Sequence, residues 1–359
     1  MKRQLLVTFA AITAAAAATA QIERLSTARK DVEVSRIAEV TTNAMSPSLK
    51  AHLTRAAAKA QNKDGVDAAV LAARVASDCV MTNAAAKDTP FLFYSVPAMS
   101  DVQRLTDVYP FDGKAGKTIR IVAAKDEFEP GAFLVYPLAD LGKVAFTLTP
   151  FRNERGATLP LENLDLKVVK VWYQNKNGWY SYFADTGYKL CPELLLNDED
   201  LIRVDTEKEA NYARIKRADG KISELWINPP PLYAKRLGTS GGHDQEIFAP
   251  FREGFDDAGT FQPVTLSEGA FRSFFLTVHT TKETPDGLYS GAVVLNKDGK
   301  ELGRIPATVK VLPFVLPQPK CYGDRTRDFL VSSYSYHSFG HFGELNGGDW
   351  PLVRKQYQQ

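Results

Sequence analysis

The residues able to do chemistry fall into four small groups. Asp126-Glu127 and Asp198-Glu199 are adjacent carboxylates, the kind of pair from which an enzyme draws a general acid and its partner. Trp172, Tyr173, Trp179, Tyr180 and Tyr182 flank a polar turn at residues 175–178, and flat aromatics beside polar side chains can stack on sugar rings. Asn197-Asp198-Glu199-Asp200, with Asp205 beyond, offers hard oxygen ligands of the type calcium prefers, without the spacing of an EF-hand loop. His337 and His341 lie in a glycine-containing loop near the end of the chain.

Each group also has a plainer reading. A catalytic carboxylate needs a partly desolvated pocket and a partner at a set distance, and neither dipeptide supplies these by itself. The aromatic cluster equally suits a sandwich core or a contact between domains, the acidic run a solvated turn, and the histidines an ordinary loop. The stretches Pro229-Pro230-Pro231 and 238–243 read as exposed loop. The chain has no Gly-x-Ser-x-Gly elbow, no His-Glu-x-x-His helix, no phosphate loop and no dinucleotide fingerprint, so no metal and no cofactor is expected. Cys79, Cys191 and Cys321 are too far apart for a metal or redox motif, and at most one pair can bridge.

The elements that must position these groups change character along the chain. Lys2 and Arg3, an apolar alanine-rich run, and Ala18-Thr19-Ala20 ahead of Gln21 have the form of a signal peptide over residues 1–20, which predicts an exported protein. No later run reaches the roughly 18 apolar residues of a membrane span. The 44 Lys and Arg stand against 42 Asp and Glu; without Lys2 and Arg3 the balance is 42 to 42, which gives no basic surface for nucleic acid. Residues 21–87 predict two or three helices, with Ser46-Pro47 as a start, Asp64-Gly65 as a break, and Val66, Ala69, Val70, Ala73 and Ala76 as one apolar face.

From Thr89 the period becomes two. Ile119, Ile121 and Ala123, and then Phe274, Leu276 and Val278, mark strands. Asn296-Lys297-Asp298-Gly299 joins 289–295 to 305–311 as a β-hairpin, and Asp219-Gly220 and Thr284-Pro285-Asp286-Gly287 mark further turns. The fold class expected is mainly β: an antiparallel sandwich over 88–265, closing strands and a proline-rich linker over 266–318, with the chain leaving the sheet at Leu312. Residues 319–359 then read as one strand, a loop and a helix start, the first β/α unit of a truncated TIM-like barrel.

Several segments carry a resemblance. Glu127-Phe128-Glu129-Pro130, the run 168–174, the run 192–198, Asn211-Tyr212-Ala213-Arg214 and the closing module from Thr284 through Pro317 resemble family 123-like glycoside hydrolases and related proteins with the domain of unknown function 4091. The resemblance spans residues 89 to 336 in scattered form. It implies β-sandwich domains ahead of a TIM-like catalytic barrel, and a substrate-assisted mechanism in which an Asp-Glu pair of the barrel orients the substrate's acetamido group. Neither dipeptide here matches that pair, so no catalytic residue is assigned.

The resulting expectation is the non-catalytic front part of an exported glycoside hydrolase, with a polysaccharide or glycan as partner. Trp172, Tyr173, Trp179 and His337 are its candidate carbohydrate contacts. The alternative is a stand-alone glycan-binding or protein-interaction sandwich.

Overall fold

The computed structural model describes residues 47–62, 67–82, 89–175, 188–216, 221–228 and 257–317, with a few positions between 348 and 354. Its strands are β1 (Phe91–Val96), β2 (Lys114–Ala115), β3 (Ile119–Lys125), β4 (Phe128–Pro137), β5 (Gly142–Leu148), β6 (Phe151–Asn153), β7 (Thr158–Leu159), β8 (Leu164–Asn175), β9 (Tyr188–Leu196), β10 (Ile202–Asp205), β11 (Ala210–Lys216), β12 (Ile222–Trp226), β13 (Val264–Leu266), β14 (Arg272–His279), β15 (Gly287–Lys297) and β16 (Lys300–Val315). Two helices precede them, α1 (Pro47–Asn62) and α2 (Asp67–Met81). The chain is thus mainly β, in several sheets whose pairings are antiparallel except that of β16 with β3.

One six-stranded sheet runs β2-β1-β4-β14-β8-β9, and a second runs β13-β5-β15-β16-β3, with β6 and β7 attached to β15. Strand alternation explains why the two pack face to face. Ile119 and Ile121 from β3, Val293 and Leu295 from β15, and Ile305, Ala307, Val309 and Val311 from β16 all point inward from the second sheet. They meet Phe133 and Val135 of β4 and Phe274, Leu276 and Val278 of β14. Close approach is enforced at Gly291, where an added Cβ would sit 2.4 Å from the Phe151 ring.

The first sheet is covered on its other face as well. Leu92, Tyr94 and Val96 of β1 and Ala132, Leu134 and Tyr136 of β4 form a second core with Leu53 of α1 and with Ala72, Ala73, Val75, Ala76 and Cys79 of α2. Seven consecutive residues of β4, Gly131 to Pro137, are therefore buried, as expected of a strand sandwiched between two apolar layers. Ala73 and Ala76 of the anticipated helix face belong to this core; the side chains of Val66 and Ala69 lie outside the described residues. Cys79 and Cys191 are buried free thiols, and burial pushes the Cys79 thiol up to about 12.

Polar anchors fix the helical layer. The Asp78 carboxylate accepts hydrogen bonds from the Tyr94 and Tyr109 hydroxyls, each at 2.8 Å. His52, 2 % exposed, lies with Nδ1 2.7 Å from Glu268 Oε1, edge-on to the Tyr136 ring, and Arg55 faces the same carboxylate. Burial holds the His52 imidazole below its ordinary 6.5 despite the opposing pull of Glu268. A folded state that resists protonation is fully stabilised above 6.5 and loses stability as pH falls below it, because the unfolded chain then binds the proton more readily. The melting temperature should accordingly fall more steeply between pH 6.5 and 5 in the wild type than in His52→Gln. The carboxyl of Asp78, raised by burial, is common to both proteins and drops out of the difference. Equal slopes would remove His52 as the cause.

The β15–β16 hairpin turns at Asp298 and Gly299, with φ of 50° and 77°, the left-handed conformations a tight primed turn requires. The expected exit from the sheet at Leu312 is not observed: β16 continues through Pro313 to Val315, which pairs with Lys125 of β3 after a register shift. Pairing with β15 ends at Val311, so the missing N–H of Pro313 interrupts no ladder on that side. The strands of 266–318 also interleave with the earlier ones, β14 lying between β4 and β8, and β15 and β16 between β5 and β3. Residues 1–46 and the strand and loop anticipated over 319–347 lie outside the described residues.

Candidate functional site

A cleft among the described residues lies where the edge of the six-stranded sheet meets the small sheet β10-β11-β12. Its volume is about 350 Å³, at the small end of the range for small-molecule sites. Lys170, Arg203, Arg214, Arg272 and Asp200 bring charge to its wall, and Val171, Leu190, Ile202 and Val204 the apolar remainder.

An irregularity in the strands shapes it. β8 and β9 pair in register from Val168↔Leu196 to Lys170↔Leu194, and then Val171 pairs with Pro192, leaving Glu193 as an extra residue on β9. Such bulges re-aim neighbouring side chains, and a proline is tolerated there because β9 is the sheet edge.

Beyond β9 the chain turns through Asn197 and Asp198 into one 3₁₀ turn, Glu199–Leu201. Asp198 caps it, its Oδ1 accepting from Asp200 N at 2.9 Å, and Asp257 accepts the backbone N–H groups of Asn197 and Asp198. This turn delivers Glu199 into the interior. The carboxylate, 5 % exposed, forms an ion pair with Arg272 of β14, lies 3.4 Å from Lys143 Nζ of β5, and accepts from Thr265 N of β13 at 2.5 Å. Its backbone carbonyl accepts from Lys170 Nζ at 2.8 Å. Burial pushes the Lys170 ammonium down to about 8; Arg272 and Lys143 push the same way, against Glu199 and Asp200.

The small sheet is held by Asn211, which is 1 % exposed. Its Oδ1 accepts from Tyr173 N at 2.9 Å and its Nδ2 donates to Tyr173 O at 2.8 Å, so one amide side chain imitates a strand partner. Cross-strand pairs Arg203↔Tyr212, Tyr212↔Trp226 and Arg214↔Glu224 place these five side chains on one face of the sheet. The Tyr212 and Trp226 rings stack with centroids 6.4 Å apart, and the Arg203 guanidinium lies 4.1 Å over the Tyr212 ring. Arg203 is bidentate to Glu224, at 2.8 and 2.7 Å. The same face thus carries an aromatic pair and two of the cleft's arginines.

The residues anticipated as carbohydrate contacts are placed differently from one another. Tyr173 is 8 % exposed, with its backbone locked by Asn211, and offers no open ring face for a sugar. Trp172 is half-buried against the main core, its indole nitrogen enclosed. Trp179 and His337 lie outside the described residues. The carboxylate pairs are separated by 3D context: Glu127 closes the β3–β4 turn by accepting from Ala124 N at 2.5 Å, whereas Glu199 is the buried hub described above. In the acidic run, the Asn197 amide is spent on Lys167 and Ala258, and Asp200 on Lys143. Among the described residues no three His, Cys, Asp or Glu side chains are grouped to hold a metal, and no helix is long and apolar enough to cross a membrane.

Sequence reasoning missed Lys170, Arg203, Arg214, Arg272, Tyr212 and Trp226. The available signal was a charge inside otherwise apolar strand sequence, as at Lys170 between Val169 and Val171 and at Arg272 beside Phe271.

Fold and site together define a mainly β protein with an antiparallel sandwich, a helical back layer and a cationic cleft at one sheet junction. No family model matches the chain, and no curated protein matches it. Among solved structures, a family 123 glycoside hydrolase from Clostridium perfringens, described for glycolipid glycan hydrolysis, is similar with a TM-score of 0.32 and 11 % identity over 56 % of this chain. The match spans 23 % of that enzyme. AvmM, which catalyses macrocyclization in alchivemycin A biosynthesis, is similar with a TM-score of 0.21 and 10 % identity, over 55 % of this chain and 86 % of that one. Likenesses this slight carry no argument about activity.

Proposed function

We propose that this chain is the non-catalytic, glycan-engaging sandwich portion of an exported carbohydrate-active protein. One observation carries the reading: three segments far apart in sequence, 168–174, 192–198 and 211–214, each resembling glycoside hydrolase landmarks, converge around a single cleft. Lys170, Val171 and Arg214 from two of them line it, and the third makes the bulge and the turn that shape it. The face beside it supplies what sugar recognition uses, a flat aromatic pair next to forked donors. Export rests on the leader-like residues 1–20.

Glycan contact is assigned to Trp226, stacked beside Tyr212, with Arg214 as hydrogen-bond donor. Trp226, 36 % exposed, is the accessible member of the pair. Binding of oligosaccharides, followed by calorimetry with the whole chain, should weaken by roughly tenfold or more in Trp226→Ala, in line with the loss of an aromatic contact of about 1–2 kcal/mol. The same preparation should release no reducing ends from those oligosaccharides. Reducing-end release, or binding indifferent to Trp226, would overturn the proposal.

A further inference from the structure

The cations of the cleft are not equally committed. Arg272 is spent on Glu199, and Arg203 on Glu224. Lys170 instead donates to a carbonyl, that of Glu199 at 2.8 Å, which carries no charge to balance its own. Arg214 comes no nearer to Glu224 than 3.8 Å, and its enclosed Nε–H makes no hydrogen bond. Two positive groups facing one small cleft thus make no hydrogen bond to a carboxylate, and the burial of Lys170 reduces screening by water around it.

We propose that the cleft receives the oxyanion of an acidic sugar, a carboxylate or a sulfate ester, between the Lys170 ammonium and the Arg214 guanidinium. This rests on the glycan reading above and names the group that is recognised. Forked guanidinium donors suit a planar or tetrahedral oxyanion, while the lysine acts as a point charge. The groups facing Lys170 are Glu199 and Asp200 from the 3₁₀ turn, Arg272 from β14 and Lys143 from β5, with Arg203 and Arg214 across the cleft. Burial pushes Lys170 down to about 8, so an arriving anion favours its protonated form and draws in a proton when the pH stands above that value.

The experiment uses the whole chain with ¹³C-labelled lysine side chains, and glucuronate, a sulfated glucose, inorganic sulfate and glucose as probes. Glucuronate and sulfate should raise the Lys170 titration midpoint and glucose should not. Affinity for glucuronate should fall as the pH rises from the free Lys170 midpoint toward the glucuronate-bound one, by up to about tenfold per pH unit. Lys170→Arg, charged throughout, should retain binding at pH 9.5, and Arg214→Met should lose tenfold or more at every pH. Equal binding of glucose and glucuronate overturns the oxyanion assignment while leaving the glycan reading standing. Sulfate binding without binding of either glucuronate or a sulfated glucose overturns the sugar, and with it the glycan reading of this cleft. A Lys170 midpoint unmoved by bound glucuronate places the ligand elsewhere and overturns the proposal.

Discussion

Replacing Glu199 with alanine is expected to lower the free energy of unfolding by about 3–5 kcal/mol, the usual cost of removing one partner of a buried ion pair. The carboxylate is 5 % exposed and satisfies three strands at once: Arg272 of β14, Lys143 of β5 and the Thr265 amide of β13. Its loss strands the Arg272 guanidinium, 15 % exposed, and removes the acceptor of the part-buried Thr265 amide. Most of the penalty comes from these abandoned groups. The double variant Glu199→Leu with Arg272→Met should therefore recover much of the loss, since a pair of well-packed apolar side chains often matches a buried ion pair. Urea unfolding of the wild type, Glu199→Ala and the double variant checks both statements. A single-variant loss below about 1 kcal/mol would mean that Glu199 is solvated rather than buried.

Phe274→Ala is expected to cost a similar amount, about 3–5 kcal/mol, for a different reason. Phe274 is fully buried where the two sheets meet. Its ring is stacked on Phe133 with centroids 5.1 Å apart, tilted against Phe146 at 4.7 Å, and edge-on to Phe261 at 6.4 Å. These rings come from both sheets, so the cavity left by truncation cannot close without moving a sheet. Phe128→Ala provides the contrast. Phe128 is 68 % exposed and stacks only on His279, at 4.0 Å, and its loss should change stability by no more than about 0.5 kcal/mol. Similar unfolding midpoints for the two variants would contradict the placement of the core.

The local parts of this architecture were legible in the sequence. The alternation of Ile305, Ala307, Val309 and Val311, and the Asp298-Gly299 turn before it, specify the hairpin through neighbours alone. The same holds for the helix start at Pro47 and for the inward residues of β3 and β14. What was not legible depends on partners far apart in the chain. Arg272 and Glu199 are separated by 73 residues, and nothing in either neighbourhood announces the other. Asp198-Glu199 reads as a carboxylate pair, yet only the 3₁₀ turn after β9 decides that one member caps a turn while the other enters the core. Tyr173 illustrates the converse: its neighbours suggest an exposed aromatic platform, whereas the Asn211 side chain ties its backbone into the interior. The prolines after Leu312 suggest an exit from the sheet because proline cannot donate to a ladder, and at Pro313 the end of pairing with β15 and the register shift toward β3 remove the need for that donor.

The proposed function places ligand recognition at the junction of β8, β9 and the small sheet. Backbone amide NMR of the whole chain during titration with an acidic oligosaccharide tests it most directly. The account predicts that the perturbed amides gather on Lys170 and Val171, on residues 199–204, and on Tyr212, Arg214 and Trp226, with the α1–α2 face of the six-stranded sheet unchanged. Perturbations gathered on the helical layer or on the outer face of β15 and β16, with the cleft silent, would contradict it.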